Sequence, residues 1–176
     1  DFTITAWVRN PSDRIAIVFS LSDGTESDRV QFHLRRGYLV YGWQNGAHYD
    51  SVSGRIDRWE ADRWYHVAVT MRRGLIRLYR DGEQVGSSSV GRKIGTRISS
   101  LASVDRPTHC YLGKLHDKTA GDLVEPQFFG GEIDDVQIYA KAVLAKNIRY
   151  LHEHPGELWD PRVNGTDRFS TEKKLE

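Results

Sequence analysis

Apolar and polar residues alternate with a period of two along most of the chain, in short runs separated by turn residues, and this pattern predicts strands rather than helices. Phe2 to Val8 sets Phe2, Ile4 and Ala6 on one face and Thr3, Thr5 and Trp7 on the other. Ile15 to Leu21 is more continuously apolar, and Asp23-Gly24 follows it as a turn. Two similar hairpins come next. Val30, Phe32 and Leu34 alternate with Gln31 and His33, Arg35-Arg36-Gly37 turns the chain, and Tyr38 to Trp43 returns. Trp64 to Met71 runs into Arg72-Arg73-Gly74, and Leu75 to Arg80 returns. Glycine suits both tips because it takes positive φ without a steric penalty. The flanking residues diverge, which favours two independent hairpin tips over an internal repeat.

Asn45-Gly46 and Asp81-Gly82 mark further turns. Gly86 to Pro107 is rich in Ser, Gly and Arg without periodicity and predicts a long surface loop; Lys114 to Pro126 predicts another. Tyr111-Leu112 reads as a short strand between them. The last strand, Ile133 to Tyr139, breaks its period once, which predicts a β-bulge near Asp134-Asp135. The period then changes. From Ala140 to His154, Val143, Leu144, Ile148 and Leu151 recur at helical spacing, and Pro155-Gly156 ends the helix.

These elements add up to an all-β fold: a two-sheet antiparallel β-sandwich with one short C-terminal helix. The apolar alternates fill the space between the sheets and the polar alternates face outward. The sandwich is expected to occupy residues 1–154. A polar C-terminal tail, 155–176, follows, with Leu158-Trp159 as its apolar anchor against the surface. Asp1-Phe2 opens directly on a strand, which suggests a piece of a longer chain, and Leu175-Glu176 reads as the scar of an affinity tag.

Composition narrows the function classes. The 176 residues carry 25 Lys and Arg against 24 Asp and Glu, a poor footprint for a nucleic-acid binder. A charged content of 28% and the lack of an apolar run near the ~20 residues of a membrane span argue against membrane insertion of this segment. Cys110 is the single cysteine, so neither an intrachain disulfide nor a Cys-based metal cage can form. In Cys110-Tyr111-Leu112 it is expected to be a small buried hydrophobe.

Five segments go beyond periodicity. Phe2-Thr3-Ile4-Thr5-Ala6-Trp7-Val8, Trp64-Tyr65-His66-Val67-Ala68, Leu78-Tyr79-Arg80-Asp81-Gly82, the run from Phe129 to Tyr139 containing Gly131 and Ile133-Asp134, and Ala140-Lys141-Ala142-Val143-Leu144 fall in this order. Together they resemble the strands and helix start of laminin-G-like domains in the concanavalin A-like lectin/glucanase superfamily, over residues 2 to about 151. The resemblance implies a jelly-roll sandwich. It also implies a binding or adhesion module of a larger bacterial protein, in a secreted, periplasmic or cell-surface setting. The family usually has one more strand before the first one here.

The same superfamily includes glycoside hydrolases that carry paired carboxylates on one strand in a Glu-x-Asp-x-Glu pattern or its bulged form. Retaining hydrolysis needs a nucleophile and an acid/base about 5 Å apart. In Glu132-Ile133-Asp134-Asp135-Val136-Gln137 the third carboxylate is replaced by Val136 or, in the bulged form, by Gln137. Neither exchanges a proton, so a non-enzyme is expected. His152-Glu153-His154 is a poor metal site, because residues two apart on a helix do not share a face. His66 reads as a structural, hydrogen-bonded histidine.

The leading expectation is therefore a non-catalytic carbohydrate- or glycoconjugate-binding module. A protein–protein adhesion or architectural module is the alternative, and a degenerate glycoside hydrolase the third. The expected partners are a glycan or protein ligand and other domains of a longer parent chain. Sugar rings stack on aromatic faces, which singles out Tyr49 and Trp59 in the polar segment Asn45 to Arg63; Tyr41 and Trp43 share a face with Leu39 and point inward. Gln31, His33, Arg77 and Tyr79 alternate on hairpin strands and would line one concave outer sheet face, though an ordinary solvated face is the commoner outcome. No cofactor is required. Calcium is the one metal the resemblance raises, with Asp134 and Asp135, or Asp117 and Asp122, as its carboxylates. Such acidic clusters are more often solvated or bonded to nearby backbone N–H groups.

Overall fold

The computed structural model describes residues 1–10, 15–24, 28–46, 48–57, 59–89, 104, 107–115 and 128–160. The elements in chain order are β1 (Phe2–Arg9), β2 (Ile15–Ser22), β3 (Asp28–Arg35), β4 (Tyr38–Asn45), β5 (His48–Arg55), β6 (Trp64–Arg72), β7 (Leu75–Arg80), β8 (Glu83–Ser89), β9 (His109–Leu112), β10 (Glu132–Tyr139) and α1 (Ala145–Glu153). They form two five-stranded sheets. The first runs β10-β1-β6-β7-β8 and the second β5-β4-β3-β2-β9. All the pairings are antiparallel. This is the two-sheet sandwich expected from the alternation, with the jelly-roll form that the resemblance implies.

The inward alternates make the core. Ile4, Ala6 and Val8 of β1 and Val67 and Val69 of β6 are fully buried, as are Phe32 and Leu39 of the second sheet. Phe2 reaches across to Tyr41 at 5.4 Å between ring centroids. Tyr41 and Trp43 point inward, as their shared face with Leu39 predicts. Each large side chain buried this way contributes about 1.5–3 kcal/mol.

Local chemistry shapes the connections. Arg36-Gly37, Arg73-Gly74 and Asp81-Gly82 each place two successive residues at positive φ, between 44° and 82°. Two-residue hairpins favour that geometry because it matches the strand twist. The expected bulge is present: Thr5 pairs with Gln137 and Trp7 with Asp134, so β10 carries an extra residue, and Asp135 sits at φ 45°.

Several expectations change. Segments treated as polar loop contain strands: β5 within Asn45 to Arg63, and β8 reaching Ser89. Cys110 is exposed rather than buried, because β9 is the edge of its sheet. The helix begins at Ala145, five residues later than its spacing suggests. Val143 is buried ahead of it, its N–H donating to Thr3 Oγ1 while that hydroxyl donates to the Lys141 carbonyl. So the outer face of the first sheet is not a solvated polar face. Ala68 and Tyr79 pack there under Val143, Ile148, Leu151 and Trp159. Trp159 meets Tyr139 edge-on at 5.8 Å, whereas Leu158 is exposed.

One contact closes the side of the sandwich. Gly54 of β5 and Gly86 of β8 meet backbone to backbone, so a Cβ on Gly54 would lie 2.8 Å from the Val85 carbonyl group and one on Gly86 2.7 Å from Gly54 Cα. Only residues without a side chain let the two sheets approach so closely. Among the described residues no helix is long and apolar enough to cross a membrane.

Candidate functional site

With α1 lying on the first sheet, strands β3, β4 and β5 of the second sheet hold the sandwich's other broad outer face. Cross-strand register sets it out in rows. Arg35, Tyr38 and Arg55 form one row; His33, Val40 and Ser53 the next; Gln31, Gly42 and Ser51 a third; Arg29, Gln44 and Tyr49 the last. A groove of about 360 Å³ runs over it, bounded by Arg35, Arg36, Tyr38 and Tyr49 with His33 and Val40 beneath and Ser51 and Ser53 at the side.

Its aromatic walls are open to solvent: Tyr38 is 44% exposed and Tyr49 50%. Tyr49 lies across Gly42, and its hydroxyl accepts a hydrogen bond from Gln31 Nε2 at 3.2 Å. Gly42 is required here, since any Cβ would collide with the Tyr49 hydroxyl. The floor is polar and incompletely paired. Gln31 Oε1 and His33 Nδ1 are buried and have no hydrogen-bond partner among the described residues. Burial, then the neighbouring Arg35 charge, push the His33 pKa down to about 4, so the ring is neutral near pH 7. A neutral imidazole nitrogen and an amide oxygen are ready to bond hydroxyl groups. Orphaned buried polar atoms cost stability unless something answers them.

The structure separates the residues that the alternation grouped. Gln31, His33 and Tyr49 converge on this face. Arg77 and Tyr79 lie on the first sheet, so the four polar alternates do not line one concave surface. Tyr79 is 2% exposed beneath α1, at the base of a second groove of about 490 Å³ bordered by Arg72, Arg73 and Arg77. Alternation specifies the side of a strand but not the sheet it joins. Trp59 is not an exposed contact residue either. It packs on the core, edge-on to Tyr65 at 4.6 Å, with the Arg80 guanidinium 5.2 Å above its ring. Tyr38 belongs to the same aromatic cluster in the sequence as Tyr49 and Trp59 but was not preferred as an exposed contact, and Arg35 and Arg36 were read only as a turn; their signal is the hairpin tip, which places Arg35 and Tyr38 opposite each other on one face.

The acidic strand β10 holds other roles. Glu132 pairs with the Arg9 guanidinium through both carboxylate oxygens, and those hydrogen bonds hold its carboxyl below the usual range. Gln137 is spent structurally: Nε2 donates to Asp135 Oδ1 and to the Glu157 carbonyl, and Oε1 accepts from the Tyr139 hydroxyl. Asp134 Oδ1 accepts from the Asp135 N–H, and Asp135 Oδ2 from the Gly156 N–H. Asp135 thus ties the bulge to the segment after α1. Calcium takes 6–8 oxygen ligands. Among the described residues no three His, Cys, Asp or Glu side chains gather as a metal group. Asp117 and Asp122 lie outside the described residues.

His66 is buried against Trp7 and His152, at 5.4 and 6.1 Å between ring centroids. Its backbone exchanges bonds with Asp81: the His66 N–H donates to Asp81 Oδ1, and the Asp81 N–H donates to the His66 carbonyl. Its ring Nδ1 has no hydrogen-bond partner among the described residues. Burial first, then His152, lower its pKa to about 4.

Fold and groove define a jelly-roll sandwich whose β3–β5 face carries the groove. The chain matches the model of the concanavalin A-like lectin/glucanases superfamily over residues 1–149, and it belongs to that superfamily. No curated protein matches it. Among solved structures it is similar to the CBM40 module of the Ruminococcus gnavus IT-sialidase bound to α2,3 sialyllactose, with TM-score 0.71 and 14% identity over 86% of this chain and 82% of that one. It is also similar to the SAP-like pentraxin of Limulus polyphemus, with TM-score 0.60 and 21% identity over 86% and 69%. Domains LG4-5 of the mouse laminin alpha1 chain give 0.58 and 17% over 82% and 37%. At these identities the likeness is one of fold.

Proposed function

We propose that the chain is a non-catalytic carbohydrate- or glycoconjugate-binding module of a larger extracellular or cell-surface bacterial protein, with its ligand in the groove over β3, β4 and β5. The observation that carries this reading is two exposed tyrosines flanking a floor where His33 Nδ1 and Gln31 Oε1 have no partner among the described residues. A sugar presents apolar C–H faces to the rings and hydroxyls to the floor, which is the division of labour such a groove offers. The sialyllactose-bound CBM40 relative shares the fold and lends support to a saccharide ligand. The non-catalytic part rests on Glu132 being held by Arg9 and on Gln137 being tied to its neighbours.

A glycan array followed by NMR titration tests the reading. Amide shifts should cluster on β3 to β5, and Tyr38→Ala or Tyr49→Ala should weaken binding more than about tenfold while thermal stability holds. A folded protein with no glycan hits, or shifts confined to the first sheet, rejects it. The protein-adhesion alternative is favoured by the sheet edges, where Leu112 of β9 and Ile138 of β10 are 55% and 50% exposed. Unpaired strand edges recruit other chains. Light scattering that shows a strict monomer, with no pull on these residues by neighbouring domains, counts against it.

A further inference from the structure

We infer that the ligand of the second-sheet groove is an acidic saccharide, whose carboxylate or sulfate is held at the end of the groove by Arg35, Arg36 and Arg55. This rests on the saccharide reading above and specifies its chemistry. The observation is the distribution of charge. The chain carries 25 basic and 24 acidic residues, so an ordinary patch of its surface would mix both signs. The four rows of outward positions on β3, β4 and β5 contain Arg29, Arg35 and Arg55 and not one carboxylate. The groove lining repeats this, with Arg35 and Arg36 and no acid.

Several arginines elsewhere are matched, although exposed Arg73 at the β6–β7 tip makes no ion pair among the described residues. Arg9 pairs with Glu132, Arg63 with Glu60 and Arg149 with Glu83. Arg35, Arg36 and Arg55 make no ion pair among the described residues. A guanidinium offers donors only, in a planar fork that suits a carboxylate or sulfate. A ligand met by such a cluster must be rich in acceptors and negatively charged. The register puts the charge beside the stacking surface: Tyr38 stands between Arg35 and Arg55 in one cross-strand row. One sugar ring on Tyr38 therefore brings its acidic substituent within reach of both neighbours. The groove on the first sheet also has arginines and no acid, but its tyrosine is buried under α1, so it lacks the ring surface.

Matched saccharides test the charge separately from the sugar. One pair is hexagalacturonate and its fully methyl-esterified form; the other is κ-carrageenan hexasaccharide and its desulfated form. The acidic member of at least one pair should bind about tenfold or more tightly than its neutral mate, and which pair does so distinguishes carboxylate from sulfate. Arg35→Gln and Arg36→Gln, both at exposed positions, should each weaken the acidic member more than its neutral mate, so that the advantage is lost. Arg77→Gln on the opposite sheet should change neither. Raising salt from about 50 to about 300 mM should weaken only the acidic member. Equal binding of acid and neutral members in the groove overturns the charge inference and leaves the saccharide reading standing. Equal weakening by Arg77→Gln overturns it too, since the attraction would then be diffuse. If neither pair binds while neutral glycans on the array do, the inference fails alone; if no glycan binds the folded chain, both fail.

Discussion

Gly42→Ala should leave the sandwich folded and disable its groove. A Cβ at this outward position of β4 would overlap the Tyr49 hydroxyl and come within 3.0 Å of Cζ and 3.1 Å of Cε2. The obstructing atoms are the far end of a half-exposed side chain, so the ring swings away and the backbone stays. Three effects set the size of the change. Losing the bond from Gln31 to the Tyr49 hydroxyl costs about 1 kcal/mol. Moving the ring off its rotamer costs about 0.5–1.5 kcal/mol. Alanine in a strand interior recovers about 0.5–1 kcal/mol relative to glycine. The net loss is about 1 kcal/mol, or about 2–4 °C in Tm for a domain of this length. Saccharide affinity should fall by more than about tenfold, because Tyr49 no longer walls the groove. Thermal unfolding followed by circular dichroism, with a titration on the same sample, reads both numbers. A Tm loss beyond about 10 °C would show that the strand yields instead of the ring. Unchanged affinity would remove Tyr49 from the ligand contact.

The other expectations concern the frame around the groove. Gly54→Ala and Gly86→Ala set a Cβ against backbone rather than against a movable tip, so each should cost about 2–4 kcal/mol in urea unfolding; an unchanged midpoint refutes the seam. Thr3→Val removes the acceptor of the Val143 N–H, should cost about 1–3 kcal/mol, and should speed hydrogen exchange at that amide. Unaltered exchange would show that the bond does not hold the approach to α1. His33 and His66 titrate near pH 4 in the folded chain and near 6.5 when unfolded. The unfolded chain therefore takes up protons first as pH falls. The stability of the neutral, buried rings is complete above about pH 6.5 and is lost between there and pH 4, by about 2 kcal/mol per histidine at pH 5. Equal stability at pH 7 and pH 5 in the wild type would refute this, and His66→Gln should flatten its share of the slope.

The sandwich was legible wherever a strand's inward side chains are large. Phe2, Ile4, Ala6 and Val8 announce β1, and Val30, Phe32 and Leu34 announce β3. The two strands that escaped, β5 and β8, are those whose inward positions include Gly54 and Gly86. At the seam the sheets need space more than bulk, so the apolar period disappears there. The helix face was legible in Ile148 and Leu151, but its start was not, because Val143 is claimed by a bond to Thr3. The burial of Thr3 and Thr5 was hidden too, since the covering segment lies more than a hundred residues away. Of the candidate site, Tyr49, Gln31 and His33 were visible as residues, and their convergence was not. It depends on β5 pairing with β4, and β5 itself looked like loop. Trp59 misled because it lies in a polar segment, while Tyr65 and Arg80, which enclose it, come from later strands.

The contact between Gly54 and Gly86 bears on how this chain can vary. Position 54 lies between Ser53, which lines the groove, and Arg55 at its end, so β5 is braced from inside by a neighbour it meets without side chains. A larger residue at either glycine pushes β5 outward and moves both groove residues with it. Drift at these two positions would therefore be inherited as one event. An interior substitution, far from the groove, would then surface as altered binding there before it surfaced as an unstable protein.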